Sequence, residues 1–298
     1  MSLLVGLDIG GTKTHVRVET VDGSRLVDVV EPSGDWAASP VAAAAGWIAG
    51  VVSRHLPAGS AVAAIGAGAQ GCDTEEHCAS LGRELAAVTG VPATVTNDAA
   101  LLVPAAGLVS GIGVIAGTGS IAVAVRPDGS LGFAGGWGWV LGDEGSAPAL
   151  VREAVRAALT RHDAGGPRDV LLPMLLEGFG VSGAAGLART VNDNTDPTHW
   201  GSRAPTVFAA AASGSSDARR VIAEGGASLA GLVDVLLASG AVGDVVAAGG
   251  VMTSQPSLFA AFRDALARSR PDLTVHLLDA SPVAGAVALA RRHSLPAS

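Results

Sequence analysis

The segment Leu3-Leu4-Val5-Gly6-Leu7-Asp8-Ile9-Gly10-Gly11-Thr12-Lys13-Thr14 constrains this chain more than any other. An apolar run of strand length ends in an acid, two glycines and two hydroxyl residues. The chain resumes as Val16-Arg17-Val18-Glu19, alternating apolar and charged as a half-buried strand does. Strand, glycine turn, strand presents backbone N–H groups to an anion, because glycine tolerates positive φ and lets another group come close. Thr12 and Thr14 add hydroxyl donors, Lys13 a point charge, and Asp8 a hard oxygen ligand suited to hydrated Mg²⁺. Two glycines alone would make only a hairpin. The acid before them and the hydroxyls after them turn the reading toward phosphate.

Length and composition bound the rest. A chain of 298 residues is one large domain or two ordinary ones, and 49% apolar residues suffice for packed cores. Tyr is absent and aromatics are 3%, so those cores must be Ala, Val, Leu and Ile. A net charge of −8 argues against nucleic-acid or anionic-membrane partners, which need basic patches. No signal-peptide pattern opens the chain, and no run reads as a bilayer span. Cys72 and Cys78 make neither a disulfide framework nor a four-ligand zinc site. A cytoplasmic protein is expected.

Apolar runs and turn signals predict strands at Leu3–Ile9, His15–Thr20 and Arg25–Val30, a helix from Pro40 to about Leu56, and a strand at Ala61–Ile65. Thr74 with Glu75 and Glu76 predicts a capped helix to Thr89. A short strand at Val91–Thr96 follows, then a helix capped by Asn97-Asp98 and running through Ala106. The outline then recurs: strands at Gly111–Ala116, Ser120–Val125 and Leu131–Ala134, and a broken helical block over Ser146–Ser239. A strand at Asp244–Ala248, a helix at Gln255–Arg268, a strand at Leu273–Leu277 and a closing helix at Pro282–His293 complete it. The expectation is an α/β fold with a duplicated βββαβα core and a cleft between two lobes. One lobe takes residues 1–106 plus 282–298, the other 107–281.

Gly66-Ala67-Gly68-Ala69-Gln70-Gly71 matches the dinucleotide fingerprint as a turn between strand and helix, but no acid stands at the end of a following strand to hold a ribose. Gly10-Gly11-Thr12 and Gly117-Thr118-Gly119-Ser120 instead form a pair, one strand-turn-strand loop per half. Facing each other, they would surround a polyphosphate with N–H and hydroxyl donors, as phosphoryl transfer requires. Gly249-Gly250, between a strand and a helix, would let an adenine lie against the backbone. Asp98 sits at a helix N-terminus beside Asn97, which keeps a carboxylate ionised and aimed. Alone it reads as an N-cap; with two phosphate loops in the chain it reads as a general base. Gly135-Gly136-Trp137-Gly138-Trp139-Val140-Leu141-Gly142-Asp143-Glu144-Gly145-Ser146 combines glycine, indole and two acids, the makings of a sugar site. One of the acids Asp143 and Glu144 would take the sugar and the other cap the next helix.

Taken together, Asp8-Ile9-Gly10-Gly11-Thr12-Lys13-Thr14, Asn97-Asp98-Ala99-Ala100, Gly117-Thr118-Gly119-Ser120, Gly135-Gly136-Trp137-Gly138 with Leu141-Gly142-Asp143-Glu144-Gly145-Ser146, and Ala248-Gly249-Gly250-Val251 resemble the N-acetylglucosamine kinase and BadF/BadG-type ATPase family. That family lies in the superfamily of sugar kinases and actin. The resemblance spans nearly the whole chain in order and implies two actin-like, ribonuclease H-like lobes closing on ATP and Mg²⁺. By resemblance Gly10, Gly11, Thr12, Lys13, Thr118, Gly119, Ser120, Gly249 and Gly250 bind ATP. Asp8 and Asp98 stand on the Mg²⁺ side, and Asp98 is the base. Asp35, Asn97, Asp98, Gly136, Trp137, Gly138, Asp143 and Glu144 face the sugar, and Ala284-Gly285-Ala286 resembles the helix crossing at the lobe hinge. The partner implied is a small-molecule sugar, and a homodimer is compatible with the family. The cysteine cluster of ROK-type sugar kinases is missing, which excludes that branch.

Family members that use N-acetylglucosamine tend to carry an Asn in the loop corresponding to Pro32–Trp36. Here Ser33-Gly34-Asp35-Trp36 offers a carboxylate and no amide. A carboxylate suits an ammonium better than an acetamide. The expected reaction is therefore phosphorylation of glucosamine to glucosamine 6-phosphate, with N-acetylglucosamine phosphorylation as the alternative on the same scaffold. An ATPase that activates a reductase through an iron–sulfur cluster is the alternative of another class; it needs thiolate ligands, and Cys72 and Cys78 are the only supply.

Overall fold

The structure, a computed structural model, describes residues 2–294; positions 1 and 295–298 of the expected first lobe lie outside the described residues. The chain opens with β1 (Ser2–Ile9), β2 (Lys13–Thr20) and β3 (Arg25–Pro32), followed by α1 (Val41–His55), β4 (Ala61–Ala69), α2 (Glu75–Thr89) and β5 (Ala93–Thr96). A tight helical turn at Asp98–Leu101 leads directly into α3 (Leu102–Ala105). The second half runs β6 (Gly111–Ala116), β7 (Ser120–Val125), β8 (Leu131–Gly135), α4 (Ala147–Asp163), α5 (Leu171–Phe179), α6 (Gly183–Asp193), α7 (Pro197–Gly201), α8 (Ala204–Ala212) and α9 (Ser216–Ala238). It ends with β9 (Val245–Ala248), α10 (Gly250–Ser254), α11 (Pro256–Ser269), β10 (Val275–Leu277) and α12 (Val283–Ser294).

The two halves share one topology. Their strands order as β3-β2-β1-β4-β5 and as β8-β7-β6-β9-β10. In each, the first three strands are antiparallel and the last two are parallel to the first. The α/β duplication expected from the repeated βββαβα outline is present.

Alternation along β1 explains its two-sided burial. Leu3, Val5, Leu7 and Ile9 point into a core with Ile48 and Val51 of α1 and Leu81 and Leu85 of α2. Leu4 points the other way, onto Ala64, Val287 and Ala290, where α12 packs. Glycine sets that approach: a Cβ on Gly6 would lie 2.6 Å from the Val287 side chain, and one on Gly66 only 2.0 Å from the Ala286 carbonyl oxygen. The segment Gly66–Ala69, expected as a glycine turn, is therefore strand. Its missing side chains make room for α12 on a fully covered sheet, so the dinucleotide-like spacing here is a packing pattern.

The Asp98–Leu101 turn and α3 follow a strand of the first sheet yet pack on the second. Ala99 and Ala100 meet Val123, and Leu102 meets Val246 and Ala248. A Cβ on Gly113 would lie 2.7 Å from the Ala99 carbonyl oxygen, and one on Gly285 of α12 only 2.1 Å from that of Leu101. This short segment thus touches both sheets and the crossing of α12.

In contrast to the sequence reading, one helix, α9, is long and apolar enough to cross a membrane by length and composition, and the bent pair α5 and α6 passes the same test jointly. Its buried residues Val221, Ile222, Gly225, Gly226, Leu229, Ala230, Val233 and Leu236 follow helical spacing and form one face. A Cβ on Gly226 would clash with Phe262 of α11 at 2.6 Å, so that face is a helix–helix seam. Arg220, Glu224 and Asp234 carry ion pairs on the remainder, and the buried Asp217 pairs with Arg161 of α4.

Candidate active site

The sequence-marked residues gather at the carboxyl ends of the parallel strands, the edge where open α/β sheets hold ligands. Asp8 ends β1 in register with Gly68 of β4, and Gly68 is in register with Thr96 of β5. A Cβ on Gly68 would lie 2.4 Å from the Leu101 side chain and 3.0 Å from the Asp98 Cα. Glycine there lets the Asp98 turn settle against the sheet, close to Asp8. Burial raises the Asp98 pKa to about 6, opposed by the Ala99 amide and reinforced by the charge of Asp73. Burial, then the charge of Asp98, pushes Asp8 to about 7.

The raised Asp8 pKa has a consequence for stability in the metal-free protein. The folded state holds the Asp8 proton more tightly than the unfolded chain, so this stabilisation is complete below the ordinary value of 3.8 and is lost as pH rises through about 7. Asp8→Asn is therefore expected to raise the melting temperature in chelator at pH 8, with the gain shrinking toward pH 4. Each tenfold difference in proton affinity between folded and unfolded chain corresponds to about 1.4 kcal/mol, so the effect at pH 8 is a few kcal/mol. Thermal unfolding across that pH range checks it. A variant destabilised at pH 8 would show that Asp8 sits in a favourable field.

Two half-buried hard-oxygen groups that repel each other suit a divalent cation. Among the described residues no cluster of three or more protein ligands surrounds them. That donor set fits Mg²⁺, which keeps several waters and takes few protein oxygens.

The first glycine turn stands beside this pair. Gly10 N–H donates to the Lys13 carbonyl at 3.0 Å, while Gly11, Thr12 and Lys13 are exposed. Ser33 after β3 braces the turn: its hydroxyl donates to the Gly10 carbonyl at 2.6 Å, and its N–H to that of Thr12 at 3.0 Å. Thr14 differs from the expectation, because its side chain is buried and its hydroxyl meets that of Ser33 at 2.9 Å. It braces the loop.

The second turn is topologically equivalent. Gly117 N–H donates to the Gly119 carbonyl at 2.9 Å, leaving Thr118 exposed at the tip. Ser120 is buried and its hydroxyl donates to the Glu144 carbonyl at 3.0 Å, so its side chain ties down the acidic loop. Gly249, with φ of 102°, follows β9 immediately beside this turn; a Cβ on it would lie 2.4 Å from the Ala116 carbonyl oxygen. Gly250 has open space around its Cα. The structure thus brings Gly117–Gly119 and Gly249–Gly250 together, a backbone cradle that side chains would fill.

The Gly-Trp loop borders a cleft of about 610 Å³ lined on one side by Ser120, Gly136, Trp137, Asp143 and Glu144. Asp143 adopts φ of 57°, accepts from the Gly138 N–H at 3.2 Å and packs against Gly119. Burial raises its pKa, while amides of Gly138 and Ser120 oppose the rise. Glu144 lies 3.5 Å from the Arg152 guanidinium. Ser146 caps α4 by accepting from the Ala149 N–H, so neither acid is the helix cap expected of one of them. Trp139 is anchored against Trp200, ring centroids 5.1 Å apart, whereas Trp137 is 76% exposed at the cleft rim.

Of the residues expected on the sugar, Asp35, Asn97, Asp98 and Gly138 are not among those lining the cleft; Asp98 stands behind its Asp73 edge and Gly138 donates its N–H to Asp143. Asp35 is exposed on the loop after β3. Its neighbour Trp36 stacks on Trp47 at 5.0 Å and donates its indole N–H to the Gln70 carbonyl. Asn97 is buried beneath the cleft, bonded to protein groups. In its place Asp73, just before the Thr74 cap of α2, lines the cleft from the side of the first sheet. Asp73 carries no sequence signal of its own, since an acid next to an N-cap is ordinary; only the end of β4 places it.

Known proteins match this geometry from end to end. The chain is 26% identical over 304 residues to an N-acetylmuramic acid/N-acetylglucosamine kinase of Clostridium acetobutylicum, covering 98% of this chain and 99% of that one. A provisionally assigned N-acetylglucosamine kinase of Chromobacterium violaceum superposes with a TM-score of 0.71 at 28% identity, over 96% of this chain and 98% of that one. A ROK family glucokinase of Streptomyces griseus, solved with glucose and AMPPNP, shares the fold at a TM-score of 0.59 and 22% identity, over 97% and 99% of the two chains. The model of the BadF/BadG/BcrA/BcrD ATPase family matches residues 5–290, and the chain belongs to that family.

Proposed function

We propose that this protein is an ATP-dependent kinase of an amino sugar, with lobes of residues 1–106 plus 282–294 and 107–281 flanking the cleft. The observation that carries the reading is the half-buried, desolvated Asp98 carboxylate, held at a strand end next to Asp8 and to the Asp73 edge of the sugar-sized cleft. In this reading Gly10, Gly11, Thr12 and Lys13 hold phosphate from one sheet and Thr118 and Gly119 from the other, with Ser120 bracing the second loop. Gly249 and Gly250 flank the adenosine. Asp98 accepts the proton of the attacking sugar hydroxyl. Asp8, with Asp98, would hold hydrated Mg²⁺, which would neutralise phosphoryl charge when bound.

The finer proposal is an N-acetylated substrate. Ile121, Phe133, Leu232 and Val235 give the cleft an apolar wall suited to an acetyl methyl, and two of the three relatives named above, those of Clostridium acetobutylicum and Chromobacterium violaceum, carry the name of a kinase of N-acetylated sugars. Free glucosamine is the second reading, favoured by the acids Asp73, Asp143 and Glu144 around the same space. The reductase-activating reading gains no support from the cysteines: Cys72 and Cys78 are buried in the first core, with the Cys78 thiol donating to the Cys72 carbonyl. The test is ATP-dependent phosphate transfer to glucose, glucosamine, N-acetylglucosamine, mannosamine and galactosamine. Transfer to at least one hexosamine is expected. ATP hydrolysis indifferent to every sugar would overturn the kinase reading.

A further inference from the structure

We propose that Asp73 is a specificity-determining residue that accepts hydrogen bonds from the sugar, a role that rests on the kinase reading above. The starting point is Asn97. Its side-chain amide donates to the Cys72 carbonyl at 3.2 Å and to Asp73 Oδ1 at 3.1 Å, while its oxygen accepts from the Ala99 N–H at 3.0 Å. Both amide hydrogens are engaged and the residue is only 2% exposed, so Asn97 has no donor left for a ligand. What it does is hold Asp73.

Asp73 is exposed, and it lines the cleft together with Trp137, Asp143 and Glu144 of the other half. One carboxylate oxygen is fixed by Asn97, and the other has no hydrogen bond among the described residues. The backbone around it is fixed too. Cys72 N–H donates to the Ala69 carbonyl at 3.1 Å, and Thr74 caps α2. Two residues on, Glu75 accepts from the Leu131 N–H of β8 at 2.5 Å; that strand also brings Phe133 and Ala134 to the cleft. A carboxylate with one oxygen anchored and one open is a preorganised acceptor. It suits hydroxyl or N–H donors on the face of a pyranose, and charge-assisted bonds to such donors discriminate strongly against analogues that lack them.

The experiment compares wild type with Asp73→Asn and Asp73→Ala, first by calorimetric binding of hexosamines and then by kinetics. Asp73→Asn keeps an oxygen for the Asn97 amide and should melt with the wild type, whereas Asp73→Ala leaves that buried N–H unpaired and should melt somewhat lower, so Asp73→Asn is the stability-matched variant. Asp73→Ala is expected to raise the sugar Kd and KM about 10- to 100-fold with the ATP KM unchanged, and Asp73→Asn by a similar factor, because its one oxygen stays with the Asn97 amide and the open position becomes an N–H donor. Within a deoxy-sugar series, one deoxygenation should cost the wild type affinity and cost Asp73→Ala nothing further. Sugar affinity within twofold of wild type in Asp73→Ala overturns the proposal while leaving the kinase reading intact. A fall in kcat at constant sugar KM also overturns it, since Asp73 would then act through Asn97 on Asp98. A wild type that binds no hexosamine overturns the kinase reading itself.

Discussion

Asp98→Asn is expected to lower kcat by a factor of about 10²–10⁴ while sugar and ATP still bind, the usual loss when a positioned base is removed. The substitution is isosteric, and the geometry indicates that the fold will tolerate it. Asp98 Oδ1 accepts from the Ala99 N–H at 3.0 Å, and the same N–H also reaches Asn97 Oδ1 at 3.0 Å. An Asn at 98 keeps an oxygen for that bond, and Asn97 still caps the turn. What disappears is a carboxylate that burial has moved to a pKa of about 6. A base near 6 is ionised at neutral pH yet basic enough to take a hydroxyl proton in the transition state. In the wild type, activity should fall as pH drops through about 6, where Asp98 gains its proton. In the variant that limb should vanish. Steady-state rates from pH 5 to 8, with binding of both substrates measured separately, test this. Near-normal turnover in Asp98→Asn would remove Asp98 from the role of base.

How far the sequence reaches can be read from particular residues. A continuous apolar run marks β1, period-two alternation marks β2, and Thr74 with its acids marks the start of α2; structure and sequence agree because these signals are local. Gly66 and Gly68 mislead because their cause is not local. Each is glycine to admit a partner distant in the chain, α12 in one case and the Asp98 turn in the other, and composition cannot separate that from a turn. The apolarity of α9 is likewise set by a distant partner, being that of a helix whose buried face packs on α11. Around the site, the glycine turns and Asp98 are legible from residue type and order. Their bracing is not: Ser33 under the first turn, Ser120 under the acidic loop and Asn97 under Asp73 act through hydrogen bonds spanning 23, 24 and 24 residues. Asn97 and Ser120 look like ligand groups in sequence because a polar side chain beside a glycine turn fits either role.

N-acetylglucosamine is expected to exceed glucosamine in kcat/KM by about tenfold, with glucose below glucosamine. The competing terms are an ammonium paired with carboxylates and a methyl buried on an apolar wall. A charge-assisted hydrogen bond in a dry site is worth about 1.5–3 kcal/mol and would favour glucosamine. The acids of this cleft are poorly placed to deliver it. Glu144 already has Arg152 at 3.5 Å and Asp143 accepts from the Gly138 and Ser120 amides, while the open oxygen of Asp73 can take a hydroxyl or acetamide N–H as well as an ammonium. Glu144 and Asp73 are also solvent-exposed, where an ion pair contributes about 0–1 kcal/mol. Asp35, the acid behind the glucosamine expectation, lies outside the cleft lining. Against this, moving an acetyl methyl from water onto Ile121, Phe133, Leu232 and Val235 contributes about 0.8 kcal/mol. The acetamide N–H can also donate to an acid without carrying a charge that must be desolvated. These two effects together give roughly a factor of ten. The measurement is kcat/KM for the three sugars on wild type and on Asp35→Asn, and that substitution should leave their order unchanged. If glucosamine leads and Asp35→Asn erases its advantage over glucose, the loop after β3 closes onto the sugar and reads its ammonium. If glucosamine leads and Asp35→Asn changes nothing, the charge is read by the acids of the cleft itself.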